Sequence, residues 1–201
     1  MDIVIFTCLS GIFFQRAMGA YQIAHFLRSH GYTVQVIDFT DNFTVEELLE
    51  VSKKFISKDT LAIGLSTTFY TVSEVNSKFI HNDRNKFEFL EFPNNVLTVI
   101  EETKNMYPDI KVVIGGAKSE AGKKLPYIDA VIHGYAEDKF LEYLNSLPNN
   151  KNRIKKSIFN ISTAHNNSYV EVRDDPVAKD FSIETLDHKF LPNDIIPVSY
   201  T

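Results

Sequence analysis

Five short apolar runs, separated by amphipathic stretches, constrain the fold of this chain more than any other feature. The runs are residues 2–7 (DIVIFT), 32–39 (YTVQVIDF), 60–66 (TLAIGLS), 110–116 (IKVVIGG) and 129–134 (DAVIHG). Apolar runs of this length predict strands covered on both faces. Helical spacing fills the gaps. Ala20, Ile23, Ala24 and Leu27 share one face ahead of Gly31, a C-terminal stop. Val45, Leu48, Leu49 and Ile56 share another, opened by Thr44 and Glu47 at capping-box spacing. Val96, Val99, Ile100 and Thr103 mark a third helix, stopped before Pro108. Residues 117–126 (AKSEAGKKLP) predict a short helix, and Phe140, Leu144 and Leu147 mark the last one.

A strand followed by a helix, five times over, calls for a parallel sheet with helices on both faces, because each crossover must pass over the sheet. Five such strands predict an α/β, flavodoxin-like, doubly wound parallel sheet in the order 2-1-3-4-5. This domain spans residues 1–148. Residues 149–201 form an appendage: "KKSIFNIS" and "SYVEVRD", joined by "TAHNN", predict a C-terminal β-hairpin, followed by an irregular tail holding Pro176, Pro192 and Pro197.

The bulk numbers narrow the function. With 201 residues, 44% hydrophobic and 23% charged, the chain is ordinary globular protein. A net charge of -5 argues against a general nucleic-acid binder, so no nucleic acid is expected as a partner. The one cysteine, Cys8, cannot by itself make an internal disulfide, a zinc cluster or an iron–sulfur site. No signal peptide and no bilayer-spanning run is visible, so no membrane is expected and a cytoplasmic location is.

In open parallel sheets, ligands bind outside the carboxyl ends of the strands, where the strand order reverses. Four loops converge there. The first (CLSGIFFQR) brings Ser10 and Gly11, and Gly19 stands at the start of the following helix. The second brings Ser66, Thr67 and Thr68, which donate and accept hydrogen bonds without charge. The third brings Gly115 and Gly116, where bare backbone can approach a ligand. The fourth brings Gly134, the stacking ring of Tyr135, and Glu137. Taken singly, each has a plain alternative: Ser and Thr cap helices, and Gly-Gly turns a chain.

Ser66-Thr67-Thr68, Gly115-Gly116 and the stretch GYAE (134–137) together give the chain a family likeness. It resembles the N-terminal cobalamin-binding domain of radical-SAM enzymes. That family's pattern is Asp-x-His-x-x-Gly, then Ser-x-Leu or Ser-x-Thr, then Gly-Gly, with a Gly-x-Gly-Glu turn after strand five. Ala136 replaces the second glycine of that turn. The first element survives only as Gly19: Phe14 stands in place of the Asp and Arg16 in place of the His. The resemblance therefore implies cobalamin as cofactor with no axial histidine from this position, and no metal-ligating or catalytic residue is assigned. His25, His30, His81 and His133 lie elsewhere and none is singled out as a ligand. The nucleotide arm would enter a slot between strands one, three and four, held by Ser66 and Thr68, with Gly115 and Gly116 leaving room. The loop of residues 8–16 and Tyr135 would face the corrin.

The tail (DFSIETLDHKFLPNDIIP) resembles the connector leading into a radical-SAM barrel. No Cys-x-x-x-Cys-x-x-Cys motif is present, so the resemblance implies no iron–sulfur cluster in this chain. It implies binding without catalysis by this chain alone, and group or methyl transfer with a radical-SAM catalytic domain or separate chain as partner. Residues 76–95 exceed the family's spacing. Phe87, Phe89 and Phe92 beside charged residues suggest a lid over the corrin or a loop that docks on the barrel, and equally a loop folded back on the core.

Two other readings stay open. Thr7, Ser10 and Gly11 partly match the phosphate loop of an FMN-binding flavodoxin relative, although Ile12, Phe13 and Phe14 then depart from it. A non-catalytic interaction module with an empty ancestral site also fits. A phosphoacceptor receiver does not, because Thr7, Cys8 and Ser66 stand where its acids belong. Nucleophile-elbow and dinucleotide fingerprints are absent.

Overall fold

The computed structural model describes residues 1–8, 18–68, 93–117, 119, 125–151 and 170–172. Its centre is the expected parallel sheet. Strands β1 (Ile3–Thr7), β2 (Val34–Ile37), β3 (Ala62–Ser66), β4 (Lys111–Gly115) and β5 (Ala130–Ile132) lie in the order 2-1-3-4-5. Helices α1 (Met18–Ser29), α2 (Val45–Phe55), α3 (Asn94–Met106) and α4 (Glu137–Ser146) cover it.

Alternation along each strand divides the core in two. Ile3, Ile5, Val34, Val36, Ala62, Val113, Ala130 and Ile132 pack with Ala20, Tyr21, Ala24 and Leu27 of α1 and with Phe140, Tyr143 and Leu144 of α4. Val4, Phe6, Ile37, Ile63, Leu65, Val112, Ile114 and Val131 pack on the other face with Leu48 of α2 and with Val96, Val99 and Ile100 of α3. Each fully buried large side chain among these contributes roughly 1.5–3 kcal/mol through the area it removes from water. The sheet's amino edge is pinned by Asp129. Its carboxylate accepts from Val112 N at 2.8 Å and from the Lys104 ammonium at 2.6 Å, with Lys111 at 3.4 Å.

Two elements differ from the sequence expectation. Strand β2 is shorter than residues 32–39. Tyr32 is drawn aside: its hydroxyl donates to Asn145 Oδ1 at 2.9 Å and accepts from Asn150 Nδ2 at 2.7 Å. At the other end Phe39 adopts φ 53°, which no strand tolerates. The second difference is a sixth strand, β6 (Val170–Val172), hydrogen-bonded parallel to β5 at the sheet's edge. The sequence placed this segment in a hairpin. The hairpin's first arm, the irregular tail and the core of the short helix expected at 117–126 lie outside the described residues, as does most of the 76–95 insertion with Phe87, Phe89 and Phe92. Among the described residues, no helix is long and apolar enough to cross a membrane.

Candidate functional site

Strands β3 and β4 end together. Ser66 is the register partner of Gly115. Beyond them Thr67 turns back, and both its backbone N–H and its hydroxyl donate to the Gly115 carbonyl at 2.9 Å. This double clamp holds the two loops side by side. Gly116 permits the contact: its φ is +101°, and a Cβ there would lie 2.9 Å from Thr68 Oγ1 and 3.1 Å from the amide nitrogens of Thr67 and Thr68. A side chain at this position would push the loops apart.

Below this rim lies a cleft of ≈ 520 Å³, between the sheet and the ends of α1 and α4. Side-chain size along β3 explains it. The residues that β3 turns towards α1 and α4 shrink to Ala62 and Gly64 before Ser66, whereas Ile63 and Leu65 fill the opposite face. A Cβ on Gly64 would sit 3.3 Å from Ile5 Cγ1 and 3.6 Å from Phe140 Cε1. Ile5 and Phe140 thus close on the bare backbone of Gly64, and with Val113 and Ile132 they line the floor of the cleft. Gly19, Gln22 and Ile23 of α1 form one wall, and Ala136 and Glu137 at the start of α4 form another. Ser66, Thr68, Gly115, Gly116 and Ser119 edge the opening, with His133, Gly134 and Tyr135 on its far side. Tyr135 is 50% exposed and Met18, next to Gly19, is 40% exposed, so large apolar groups stand near the mouth.

The start of α4 is unusual. Ala136 occupies the N-cap with no side-chain cap. Gly134, at φ +72°, turns the chain into the helix, and the Lys139 ammonium donates to the carbonyl of His133. Lys139 is only 3% exposed, so a cation is packed beneath the loop that carries Tyr135. Cys8 stands apart from the cleft lining. Burial, with the charge of Asp41 second, pushes its thiol up to about 12, so it is protonated at neutral pH and unsuited to nucleophilic work. Among the described residues, no group of three or more His, Cys, Asp or Glu side chains is placed to hold a metal ion.

Of the residues expected at a site, Gly19, Ser66, Thr68, Gly115, Gly116, Gly134, Tyr135 and Glu137 all line this one cleft. Thr67 does not. Its side chain is buried and its hydroxyl is spent on Gly115, so its role is to shape the rim. Ser10 and Gly11 lie outside the described residues, as do Phe14 and Arg16. Sequence reasoning overlooked the interior: Ile5, Gln22, Ile23, Gly64, Val113, Ser119, Ile132, His133 and Phe140. One signal was available, the alternate small residues Ala62, Gly64 and Ser66 within an otherwise bulky apolar run. Comparisons with protein families, with characterised proteins and with solved structures find no match for this chain.

Proposed function

We propose that this chain binds cobalamin, with the nucleotide arm in the cleft and the corrin across its mouth. The observation that carries this reading is the cleft beneath the paired ends Ser66 and Gly115, on whose lining eight of the expected residues meet. A volume of ≈ 520 Å³ falls within the roughly 300–1,000 Å³ typical of small-molecule sites. It suits an arm better than a whole corrinoid, whose macrocycle then has to rest outside.

The residues present fit such a group. Ser66 and Thr68 supply neutral hydroxyls for the arm's sugar and phosphate oxygens. Gly115 and Gly116 keep side chains out of its path. Gly19 leaves the α1 wall flat, and nothing lies within 4 Å of where its Cβ would stand. Tyr135 and Met18 offer apolar surface to the underside of a macrocycle. When bound, the cobalt centre supplies group-carrying chemistry, most often of methyl in the enzymes this sequence resembles. This chain's own residues hold, orient and shield. A radical-SAM catalytic domain or separate chain is the partner proposed for the chemistry itself.

The test is direct. Purified protein is mixed with hydroxocobalamin and desalted. Retained colour with a shifted visible spectrum is the expected result. Gly19→Leu, which adds a side chain to the cleft's α1 wall where nothing lies within 4 Å of its Cβ, is expected to lose the colour while keeping the far-UV circular dichroism of the parent. Colourless wild-type protein overturns the reading and favours an empty interaction module. Bound, quenched flavin on addition of FMN would favour the flavodoxin alternative instead.

A further inference from the structure

Helix α1 walls the cleft, so along its first half it is packed on one side only. Ala20, Ala24 and Leu27 are fully buried against the sheet. Gly19, Gln22 and Ile23 front the cleft instead, and Met18 ahead of them is exposed. Side chains at two levels tie the helix to the β2 segment. In the last turn, Arg28 Nε and Nη2 donate to the carbonyl of Val34 at 3.1 and 2.8 Å, at the amino end of β2. In the first turn, at the carboxyl end of β2, the Tyr21 hydroxyl donates to Asp38 Oδ2 at 3.0 Å.

Asp38 stands on a braced base. It is fully buried, and its other oxygen accepts from Phe39 N at 2.7 Å, where the backbone turns left-handed. Thr40 fixes that turn: its hydroxyl donates to the Thr7 carbonyl at 3.2 Å, and its carbonyl accepts from Asn95 Nδ2 at 2.7 Å. Thr7, the last residue of β1, gives α1 no such hold, because its hydroxyl is buried without a partner.

We infer that Tyr21 and Asp38 are positioning residues, whose hydrogen bond sets where the α1 wall stands and so the aperture of the cleft. The inference takes its ligand from the cobalamin reading and its geometry from the residues above. Apolar packing is non-directional and lets a helix lean, whereas a hydrogen bond to a braced carboxylate fixes a distance. With Arg28 anchoring the far end, α1 pivots there once the near end is released. A hydrogen bond to a charged group contributes a factor of about 10 to an equilibrium. Without it the first turns leave the sheet about 10-fold more often, and a ligand resting against them escapes faster.

Tyr21→Phe removes the hydroxyl and keeps the ring in the core. Amide hydrogen exchange of the full chain reads the wall directly. The amides of residues 22–24, which donate one turn back to carbonyls of the first turn, are expected to exchange about 10-fold faster while those of α3 and the sheet keep their wild-type rates. Thr44→Ala, which loosens α2 on the opposite face, is expected to leave residues 22–24 unchanged. Loaded with hydroxocobalamin and diluted, Tyr21→Phe is expected to lose it about 10-fold faster than the wild type, and Thr44→Ala at the wild-type rate. Unchanged exchange at residues 22–24 overturns the inference, as does a rise spread equally over α3 and the sheet, the mark of a merely structural loss. Faster local exchange with unchanged release of cobalamin also overturns it and leaves the cobalamin reading standing. Wild-type protein that retains no cobalamin removes that reading alone, and the exchange rates then decide whether this bond holds the wall.

Discussion

At the scale of single residues, the rim depends on groups that are absent. Gly116 stands at φ +101° against Thr68, so Gly116→Ala meets both backbone strain and a close contact. Left-handed geometry alone costs an alanine about 1–2 kcal/mol, and the clash adds to it. Urea denaturation of the variant is expected to show a loss of at least that size. An unchanged midpoint would mean that the loops separate freely, and with them the shape of the cleft mouth. The same residues show what sequence can reveal. Ser66 and Gly115 were legible because each ends an apolar run, and parallel strands of similar length end together. Thr67 was misjudged because three consecutive hydroxyls carry no mark of direction. Only register shows that the middle one turns inward onto Gly115. Gly64 was passed over because a glycine inside an apolar run does not interrupt it. Its meaning lies in Ile5 and Phe140, distant in sequence, which pack against its bare backbone.

Among the elements, helices were the most readable. Helix α2 begins as its spacing implied: Glu47 N donates to Thr44 Oγ1 at 3.2 Å, and Thr44 N donates to Glu47 Oε2 at 2.9 Å. Thr44→Ala is expected to lower stability by about 1 kcal/mol, read as a shift in the denaturation midpoint with no change in slope. Helix α3 buries the face that its spacing marked, Val96, Val99, Ile100 and Thr103. Helix α1 departs in an informative way. Ile23 has core spacing, yet it is only partly buried, because it fronts the cleft instead of a packed neighbour. Periodicity reports which way a side chain points and says nothing of whether anything waits there. Strand ends were less legible than strand centres. Tyr32 is held by Asn145 and Asn150, more than a hundred residues away in sequence, and local pattern cannot anticipate such a partner.

For the molecule as a whole, burial of protonated groups sets a limit at high pH. The Cys8 thiol is pushed from 9.0 up to about 12, by burial first and then by Asp41. The hydroxyls of Tyr32 and Tyr143 are both raised above their ordinary 10.0, again chiefly by burial. These groups keep their protons longer in the folded protein than in the unfolded chain. Their contribution is therefore complete below about pH 9 and is lost progressively as pH rises through 9 to 12 and beyond. Thermal melts between pH 7 and pH 11 are expected to show a falling midpoint, beginning near pH 9. A flat profile across that range would contradict the burial of these side chains. Fold class was legible at this scale because five runs and their intervening helices leave few arrangements open. The strand at 170–172 was legible as a strand, but its parallel place beside β5 was not, since three residues of a distant segment carry no address.

That small strand ties the fate of the late sequence to the early domain. Residues 170–172 occupy the border of the sheet, beyond β5. A protein cut after residue 148 would keep every helix named above and still lose its hem, leaving the amides and carbonyls of β5 bare along one side. Naked sheet margins recruit one another. The shortened protein should therefore elute as dimers and larger species on size exclusion, where the full chain runs smaller, and a monomeric profile for both would mean that β5 guards its own flank.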